Sequence, residues 1–177
     1  MAEWLMNWEG GFLLFLQEHV RNPLLDNVMR FVTSLGDAGF IAIIACIVLL
    51  GIRRYRRAGV TASLSLILDF VAVNVLLKNL VARARPYQAL EGLLLIVEEA
   101  TDYSFPSGHS GACFAVASVM FLCLPRKVGV PAIGMAALIA FSRLYVGIHY
   151  PTDVLGGILI GCLTGLTAWK VLWREKT

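Results

Sequence analysis

The chain has 177 residues, of which 58% are hydrophobic and 15% are charged, and its net charge is only +3. Soluble domains carry roughly 25% charged residues, so this composition excludes an ordinary soluble protein and predicts a single integral-membrane domain, residues 1–177. The small positive charge gives no support for a nucleic-acid partner. The four cysteines lie in apolar runs without a Cys-x-x-Cys pair, so we expect buried free thiols and no zinc site.

Residues 1–34 are predicted to form interfacial and short helices. Trp4 and Trp8 stand near the start of an apolar segment with interleaved acidic residues, a pattern typical of an amphipathic helix at the membrane surface. Pro23 then opens a second short helix over residues 24–34, because proline suits the first turn of a helix. Neither segment is predicted to span the bilayer.

Residues 35–172 contain five apolar runs, which predict about five transmembrane helices in a catalytic bundle. The expected fold class is therefore all-α, an integral-membrane helical bundle. The last run carries Gly157, Gly161 and Gly165 at four-residue spacing, which lets helix backbones pack closely in lipid. The second and third runs are separated by a polar connector, residues 87–105, and the sequence does not decide whether it closes over a substrate.

Three basic clusters predict the orientation of this bundle. They lie at residues 53–57, at residues 126–127 and around a C-terminal tail, which is expected to be cytoplasmic and to occupy residues 173–177. If the spans alternate, all three clusters fall on one side, and the positive-inside rule places that side in the cytoplasm. We therefore expect a multi-pass protein of the plasma membrane, with residues 79–108 and 143–153 outside.

The predicted outer ends of the spans collect most of the remaining unusual polar residues. Such a set supports phosphoryl transfer, because fixed cations and the free N–H groups at a helix start stabilise phosphate oxygens. Two histidines can then serve as nucleophile and proton donor on opposite sides of one phosphorus atom. The residues concerned are Lys78, Arg85, Ser107, Gly108, His109, Arg143, His149 and Asp153.

The spacing within this set predicts individual contacts. Asp153 follows His149 by four residues, so the two share a face if both lie on the first turns of the last helix, and the carboxylate would then hold the imidazole. A metal site at this pair lacks further ligands, and none is predicted. Arg83, between Lys78 and Arg85, is expected to extend to the membrane surface as an anchor.

Three motifs in a fixed order resemble a known signature. Lys-x6-Arg-Pro at residues 78–86, Pro-Ser-Gly-His at residues 106–109 and Ser-Arg-x5-His-x3-Asp at residues 142–153 are similar to the signature of the type 2 phosphatidic acid phosphatase superfamily. That group is related to class A acid phosphatases and vanadium haloperoxidases. The resemblance covers roughly residues 35–172. Many members have an additional N-terminal span where this chain is predicted to have short helices.

The resemblance implies a role for each motif residue. His149 is the nucleophile and forms a phosphohistidine, Asp153 orients it, and His109 protonates the leaving oxygen and then assists the attacking water. No metal or other cofactor is required. The phosphoryl oxygens are held by Lys78, Arg85, Ser107, the Gly108 amide and Arg143.

Asp69 and Asn74 lie at depth in the predicted second span. Ionisable groups there are costly and often functional. Asp69 is about 13 Å along the helix from Lys78, so it is either a partner that supports the site or a structural polar contact between helices. Asn74 and Ser142 are further candidates for supporting the site.

The predicted function is that of an integral-membrane lipid phosphatase with its site outside the cytoplasm. The preferred substrate is undecaprenyl diphosphate, converted to undecaprenyl phosphate, because the chain is compact and its site faces outwards. Phosphatidylglycerophosphate or phosphatidic acid is the alternative. The expected partners are the lipid substrate and the bilayer, and a homodimer is left open.

Other classes of function fit less well. A small anion transporter or channel would use the same charges, but the five runs contain no inverted repeat. A membrane scaffold held by the glycine stripe would leave both motif histidines and Asp153 without a role. A vanadate-dependent peroxidase is disfavoured in a membrane chain of this size.

Overall fold

The computed structural model describes residues 3–173, and every regular element within that range is helical. The predicted all-α class is therefore confirmed. Residues 1–2 and 174–177 lie outside the described residues, and with them most of the predicted cytoplasmic tail. The nine α-helices of the described range are α1 (Glu3–Phe15), α2 (Pro23–Ser34), α3 (Phe40–Gly51), α4 (Arg56–Phe70), α5 (Lys78–Val81), α6 (Pro86–Ala89), α7 (Gly108–Cys123), α8 (Arg126–Tyr145) and α9 (Pro151–Trp173).

Short turns of other helical types extend or join these helices. A π-helical turn, Leu16–Val20, continues α1, and another, Val71–Leu77, joins α4 to α5. Between α2 and α3, Ala38 and Gly39 adopt left-handed backbone torsions, with φ of 50° and 72°. Two such residues in succession turn the chain sharply, so α2 and α3 form a bent pair rather than one straight helix.

Among residues 3–173, three helical stretches are long and apolar enough to cross a membrane: Arg53–Ala89, Arg126–Tyr145 and Pro151–Trp173. The pair Pro23–Ser34 and Asp37–Gly51, bent by 46°, would make a fourth if the two helices count as one span. The first of them, α2, is the short helix that was predicted to begin at Pro23. The predicted count of about five is reached only if α7 is included. Its 16 residues cover about 24 Å, less than the ~30 Å of a hydrocarbon core.

Large apolar side chains point outward along the bundle. Ile47 on α3, Ile67 on α4 and Leu159 on α9 are 60–62% exposed. Such a belt is unfavourable against water and suits contact with lipid tails. The outer surface therefore agrees with a multi-pass membrane protein.

Helix α7 is the most enclosed of the long helices and packs against α4, α8 and α9. The glycine stripe of α9 faces it, and a side chain at Gly161 would lie 2.9 Å from the Ala115 nitrogen. That separation is too short for a methyl group, so the predicted close packing of helix backbones is confirmed. The packing brings the starts of α7 and α9 together, where the Ser107 N–H donates to the Asp153 carbonyl at 2.9 Å.

The two ends of the bundle differ in charge. Arg57 donates to the Leu172 carbonyl, and its guanidinium lies 4.7 Å from the centre of the Trp173 ring, so the start of α4 and the end of α9 share one end. Helix α7 runs beside α9 in the same direction, so the basic residues 126–127 that follow α7 lie at that end as well. The three sequence motifs lie at the opposite end.

Helix α1 lies across the end that carries the motifs. Leu13 on its inner face is buried and packs with Leu93 and Tyr150, whereas Trp4 and Trp8 are exposed. One buried face and one exposed aromatic face agree with the predicted amphipathic surface helix.

Candidate active site

His149 lies in the turn between α8 and α9 and is 1% exposed. It precedes α9, so this turn, and not the shared helix face that the spacing suggested, brings it to Asp153. Its Nδ1 lies 3.6 Å from Asp153 Oδ2 and 3.5 Å from Ser104 Oγ. Its Nε2 lies 3.5 Å from Arg85 Nη1 and therefore faces the cations.

Asp153 is fully buried on the first turn of α9, and three donors fix its carboxylate. Oδ2 accepts from Ser104 Oγ at 2.5 Å and from the Tyr150 N–H at 2.8 Å, and Oδ1 accepts from Arg83 Nη1 at 2.6 Å. A buried carboxylate needs such donors to replace its lost hydration. The carboxylate is therefore held with one oxygen directed toward His149.

The protonation state of His149 follows from its surroundings. The pKa of His149 is lowered to about 3, mainly by burial and also by the positive charges of Arg143 and Arg85, while Asp153 acts to raise it. The ring is therefore neutral near pH 7, and one of its nitrogens keeps a free lone pair. A neutral imidazole with a buried carboxylate beside Nδ1 is able to attack through Nε2.

Lys78 and Arg85 bind one carboxylate, that of Asp102 in the connector before α7. Lys78 Nζ pairs with Oδ2, and Arg85 Nη2 pairs with Oδ1 at 2.6 Å. Burial by itself raises the pKa of Asp102, but the hydrogen bonds and charges of Lys78 and Arg85 lower it below its usual value. The two cations therefore hold a shared anion, and its two oxygens stand where phosphate oxygens are expected.

Arg143, on the last turn of α8, is buried beside this pair. Its Nη1 donates to Thr33 Oγ1 on α2 at 2.5 Å, whereas its Nε has no hydrogen-bond partner within residues 3–173. Its charge acts on the pKa of His149, as noted above. A buried N–H without an acceptor is available to a phosphoryl oxygen.

The start of α7 contributes backbone rather than side-chain groups. The Ser107 side chain caps the helix, accepting from the Ser110 N–H at 3.4 Å. A methyl group at Gly108 would lie 3.1 Å from Asn74 Oδ1 and 3.7 Å from Lys78 Nζ, so Lys78 stands directly against the helix start. The absence of a side chain at Gly108 leaves room for an anion to approach the N–H groups there.

His109, the second residue of α7, faces the turn between α2 and α3. Its Nε2 lies 2.9 Å from Asp37 Oδ1, and its ring packs against Gly36, where a Cβ would lie 2.6 Å from the His109 Cδ2. Asp37 is 64% exposed, so the bent α2–α3 pair supplies a solvent-facing carboxylate to this histidine. A carboxylate at that nitrogen holds the ring in one orientation beside the start of α7.

The three residues predicted to support the site have different surroundings. Asn74 lies against Gly108 and so reaches the site. Asp69 is 1% exposed, lies beside Gly111 and borders the same cavity as Lys78 and His109. Neither of its carboxylate oxygens has a hydrogen-bond partner among the described residues. Ser142 donates to the Ile139 carbonyl within α8 at 2.6 Å and makes no hydrogen bond to the motif residues.

Arg83 is not the surface anchor that the sequence suggested. It is 9% exposed, its Nη2 pairs with Glu9 Oε2 at 2.6 Å, and its guanidinium lies 3.8 Å from the centre of the Tyr150 ring. Burial against an aromatic ring and two carboxylates, those of Glu9 and Asp153, holds the guanidinium inside the protein. The side chain therefore belongs to the site.

Sequence reasoning missed four other side chains of the site: Glu9, Asp37, Asp102 and Ser104. A carboxylate such as Glu9 in an apolar helix requires a buried partner, which was a usable signal. The proximity of Asp37 to the glycines at residues 36 and 39 marked a turn but no contact. Asp102 and Ser104 sit in an irregular connector, where periodicity gives no information on direction.

A cavity of about 630 Å³ opens from these residues between α3, α4 and α7. Lys78, Asp102 and His109 line its polar end, while Ile43 and Phe70 belong to its apolar wall. Arg85 and His149 lie beyond the Asp102 carboxylate and do not line it. The cavity therefore suits an amphipathic ligand, with an anionic head at Lys78 and a hydrocarbon chain between the helices.

Within residues 3–173, no three His, Cys, Asp or Glu side chains lie close enough together to bind a metal ion. The motif residues form two contact groups. Arg85, His149 and Asp153 make the inner group, and Lys78, Gly108 and His109 border the cavity, with Asp102 bridging Lys78 and Arg85.

Comparison with known proteins gives a consistent result. A model of the PAP2 superfamily matches residues 58–177. Undecaprenyl-diphosphatase BcrC of Bacillus subtilis is 33% identical over 84% of this chain and 76% of its own length. Phosphatidylglycerophosphatase B of the same organism is 35% identical over 81% of this chain and 73% of its own length. The crystal structure of a transmembrane PAP2-type phosphatidylglycerolphosphate phosphatase from B. subtilis superposes with a TM-score of 0.81 at 26% identity, covering 99% of this chain and 89% of that one.

Proposed function

Because the chain belongs to the PAP2 superfamily, we propose that it removes a phosphate group from a membrane lipid through a phosphohistidine on His149. The observation that carries this proposal is the cavity that joins Lys78 and His109 to an apolar wall between α3 and α4. A lipid tail can stay among the helices while its phosphate reaches the cations. The substrate we propose first is undecaprenyl diphosphate, since the relatives include an undecaprenyl-diphosphatase.

In the first step, His149 Nε2 attacks phosphorus and forms an N–P bond. The bond between phosphorus and the leaving lipid oxygen breaks, its electron pair passes to that oxygen, and His109 gives the oxygen a proton. Lys78, Arg85 and Arg143 stabilise the non-bridging oxygens throughout. Asp153, beside Nδ1, stabilises the positive charge that the phosphorylated ring acquires.

In the second step, water attacks the phosphorus atom of the phosphohistidine. His109, now neutral, takes a proton from that water, the N–P bond breaks, and its electron pair returns to Nε2. The products are inorganic phosphate and the lipid with one phosphate group fewer. No metal ion takes part in either step, so a chelator should leave the reaction intact.

A glycerophospholipid phosphate is the second candidate substrate. It is favoured by the phosphatidylglycerophosphatase relative and by the structural match to a phosphatidylglycerolphosphate phosphatase. Both classes of lipid share an anionic head and an apolar tail, so the cavity fits either. Their relative kcat/KM values separate the two substrates.

The test of the function is phosphate release by the purified protein in detergent with a chelator present. We predict release from undecaprenyl diphosphate, with a lower kcat/KM for phosphatidylglycerophosphate. His149→Ala should lower kcat at least about 10³-fold, since it removes the nucleophile. Acid-labile ³²P should become attached to the native protein but not to this variant.

Strict dependence on a divalent metal would contradict the mechanism, and undiminished turnover by His149→Ala would contradict the assignment of the nucleophile. A higher kcat/KM for phosphatidylglycerophosphate would select the second substrate. Thermal unfolding of the variant in the same detergent shows whether it is folded at the assay temperature.

We also propose that the motif-bearing end faces the outside of the plasma membrane and the basic end faces the cytoplasm. Support comes from the shared position of the basic clusters, since Arg57 contacts Leu172 and Trp173. Undecaprenyl diphosphate carries its phosphates at a membrane surface, so the orientation decides which leaflet supplies the substrate.

A further inference from the structure

We propose that Glu9 on the N-terminal helix and Arg83 are positioning residues for the nucleophile, acting on His149 through Asp153. This inference rests on the proposed function. The set of Glu9, Arg83 and Asp153 is called the buried charge triplet below. It lies behind His149, on the side away from Lys78 and Arg85.

Glu9 has the contacts of a residue that is fixed inside the protein. It is fully buried, and both of its carboxylate oxygens are used. Oε1 accepts from the Thr152 N–H at 2.9 Å and from Thr152 Oγ1 at 2.6 Å, while Oε2 accepts from Arg83 Nη2 at 2.6 Å. Burying a carboxylate is costly unless such partners are present. An apolar residue at this position would avoid that cost, yet the chain has a charged one.

Arg83 joins the two carboxylates. Its Nη2 binds Glu9, and its Nη1 binds Asp153 Oδ1 at 2.6 Å and Thr152 Oγ1 at 2.8 Å. The face of the guanidinium lies against the Tyr150 ring, 3.8 Å from its centre. The planar fork of arginine is therefore fixed on two edges and on one face, which a lysine could not reproduce.

The position of Arg83 determines the orientation of Asp153. The two carboxylate oxygens are rigidly linked, so binding Oδ1 to Arg83 directs Oδ2 toward Ser104, the Tyr150 N–H and His149. Without Arg83, Oδ1 would lose its donor, and the carboxylate would be held only through Oδ2 by Ser104 and the Tyr150 N–H. The Arg83 guanidinium thus acts on His149 indirectly, through Asp153.

The charges of the triplet add a second effect. Arg83 alone would neutralise Asp153 and weaken its action on His149. With Glu9 ionised as well, the triplet carries one net negative charge. That charge opposes the positive charge that the His149 ring acquires when Nε2 bonds to phosphorus, in a region from which water is excluded.

The proposal predicts a selective loss of turnover. Glu9→Gln keeps the shape and one acceptor oxygen but removes the charge, so kcat should fall about 10- to 100-fold. KM and the inhibition constant of inorganic phosphate should change less than about twofold, because Lys78, Arg85 and Arg143 remain in place. Glu9→Asp retains the charge and should recover part of the lost kcat.

The matched control is Glu18→Gln, which removes the same charge from an exposed position of the same N-terminal segment. It should behave as the native protein. Equal kcat values for Glu9→Gln and Glu18→Gln would overturn the proposal, as would a loss in Glu9→Gln that appears in KM and not in kcat. Arg83→Gln and the double variant Glu9→Gln/Arg83→Gln complete a cycle, in which we expect the two losses not to add.

A measurement without substrate separates this proposal from the proposed function. In protein with ¹³C-labelled histidine, the ring signals of His149 should shift in Glu9→Gln and in Arg83→Gln but not in Glu18→Gln. Unchanged His149 signals in both variants would overturn the positioning role even if the native protein is a phosphatase. A native protein without phosphatase activity would instead contradict the proposed function, and the ring signals would still decide the present inference.

Discussion

At the level of single residues, the pKa of His149 lies below that of a histidine side chain in water. That pKa is lowered from 6.5 to about 3, mainly by burial and also by Arg143 and Arg85, while Asp153 acts to raise it. The folded chain therefore binds fewer protons than the unfolded chain between these two pH values. The neutral ring contributes stability that is fully present above pH 6.5 and is lost as the pH falls toward 3.

We predict that the His149 ring does not titrate between about pH 8 and about pH 5, an interval that contains the ordinary histidine pKa. The chain has only three histidines, so ¹³C-labelled histidine gives three sets of ring signals, and His149→Gln identifies one of them. A shift of that set with a midpoint near 6.5 would contradict the prediction. If kcat of the native protein falls as the pH is lowered through this interval, protonation of His149 should therefore not be the cause.

At this scale, the motifs made it possible to predict which residues gather at one end of the bundle. Histidines and cations at the ends of apolar runs have few structural uses, and the order of the motifs restricted them further. Arg83 was misread because a cation near a span end usually extends to the surface, and its burial depends on Glu9, which lies 74 positions away in the sequence. No local pattern reports a contact between positions so far apart.

At the level of elements, the connector between α6 and α7 supplies an anion to two of the cations that we propose to bind the substrate phosphate. Its Asp102 carboxylate occupies both Lys78 and Arg85, while 49% of that side chain is exposed. A phosphate group carries the same sign of charge and would compete for the same donors. If Lys78 and Arg85 bind the substrate phosphate as proposed, the connector has to withdraw this carboxylate first.

We predict that Asp102→Asn lowers KM for the lipid substrate and the inhibition constant of inorganic phosphate, each by about three- to tenfold, because the competing charge is removed. Glu99→Gln removes an exposed charge from the same connector and should leave both constants unchanged. A rise in KM for Asp102→Asn would show instead that the cations depend on this carboxylate for their position. Steady-state assays at several phosphate concentrations supply both constants.

The elements themselves were predictable to different degrees. Apolar runs of about 20 residues revealed α8 and α9. The glycine stripe predicted close helix packing along one face of α9, and the structure identifies α7 as the helix packed there. The bent α2–α3 pair was not foreseen, because the turn depends on a left-handed Ala38, and alanine gives no signal for that conformation. The direction of the connector was equally hidden, since its structure depends on contacts with α1 and the start of α9.

At the level of the whole molecule, the two ends of the bundle carry different sets of residues. Basic residues gather where α4 begins and α9 ends, and the motif residues gather where α7 and α9 begin. Helix α1 covers the second end, so the N-terminal segment and the motifs share a side of the membrane. A single measurement of sidedness therefore fixes the location of the site.

We predict that a cysteine introduced by Glu91→Cys, at the motif-bearing end, reacts with an impermeant thiol reagent added to intact cells. A cysteine introduced by Arg54→Cys, at the basic end, should react only after lysis, because the positive-inside rule places that end in the cytoplasm. Both positions are exposed. The native chain, whose four cysteines include buried Cys46 and Cys113, gives the background. The reverse labelling pattern would invert the proposed topology.

The length of α7 has a consequence for which molecules can reach the chemistry. The helix has 16 residues from the motif end to the basic end, about 6 Å less than the hydrocarbon thickness of a bilayer. If its far end is level with the inner headgroups, His109 lies beneath the outer headgroup plane. A phosphate tethered to a lipid descends that distance with its anchor, whereas a dissolved ester would have to shed hydration to follow. The depth of the site in the bilayer would then select lipid phosphates over soluble phosphate esters, without any contact to the rest of the substrate.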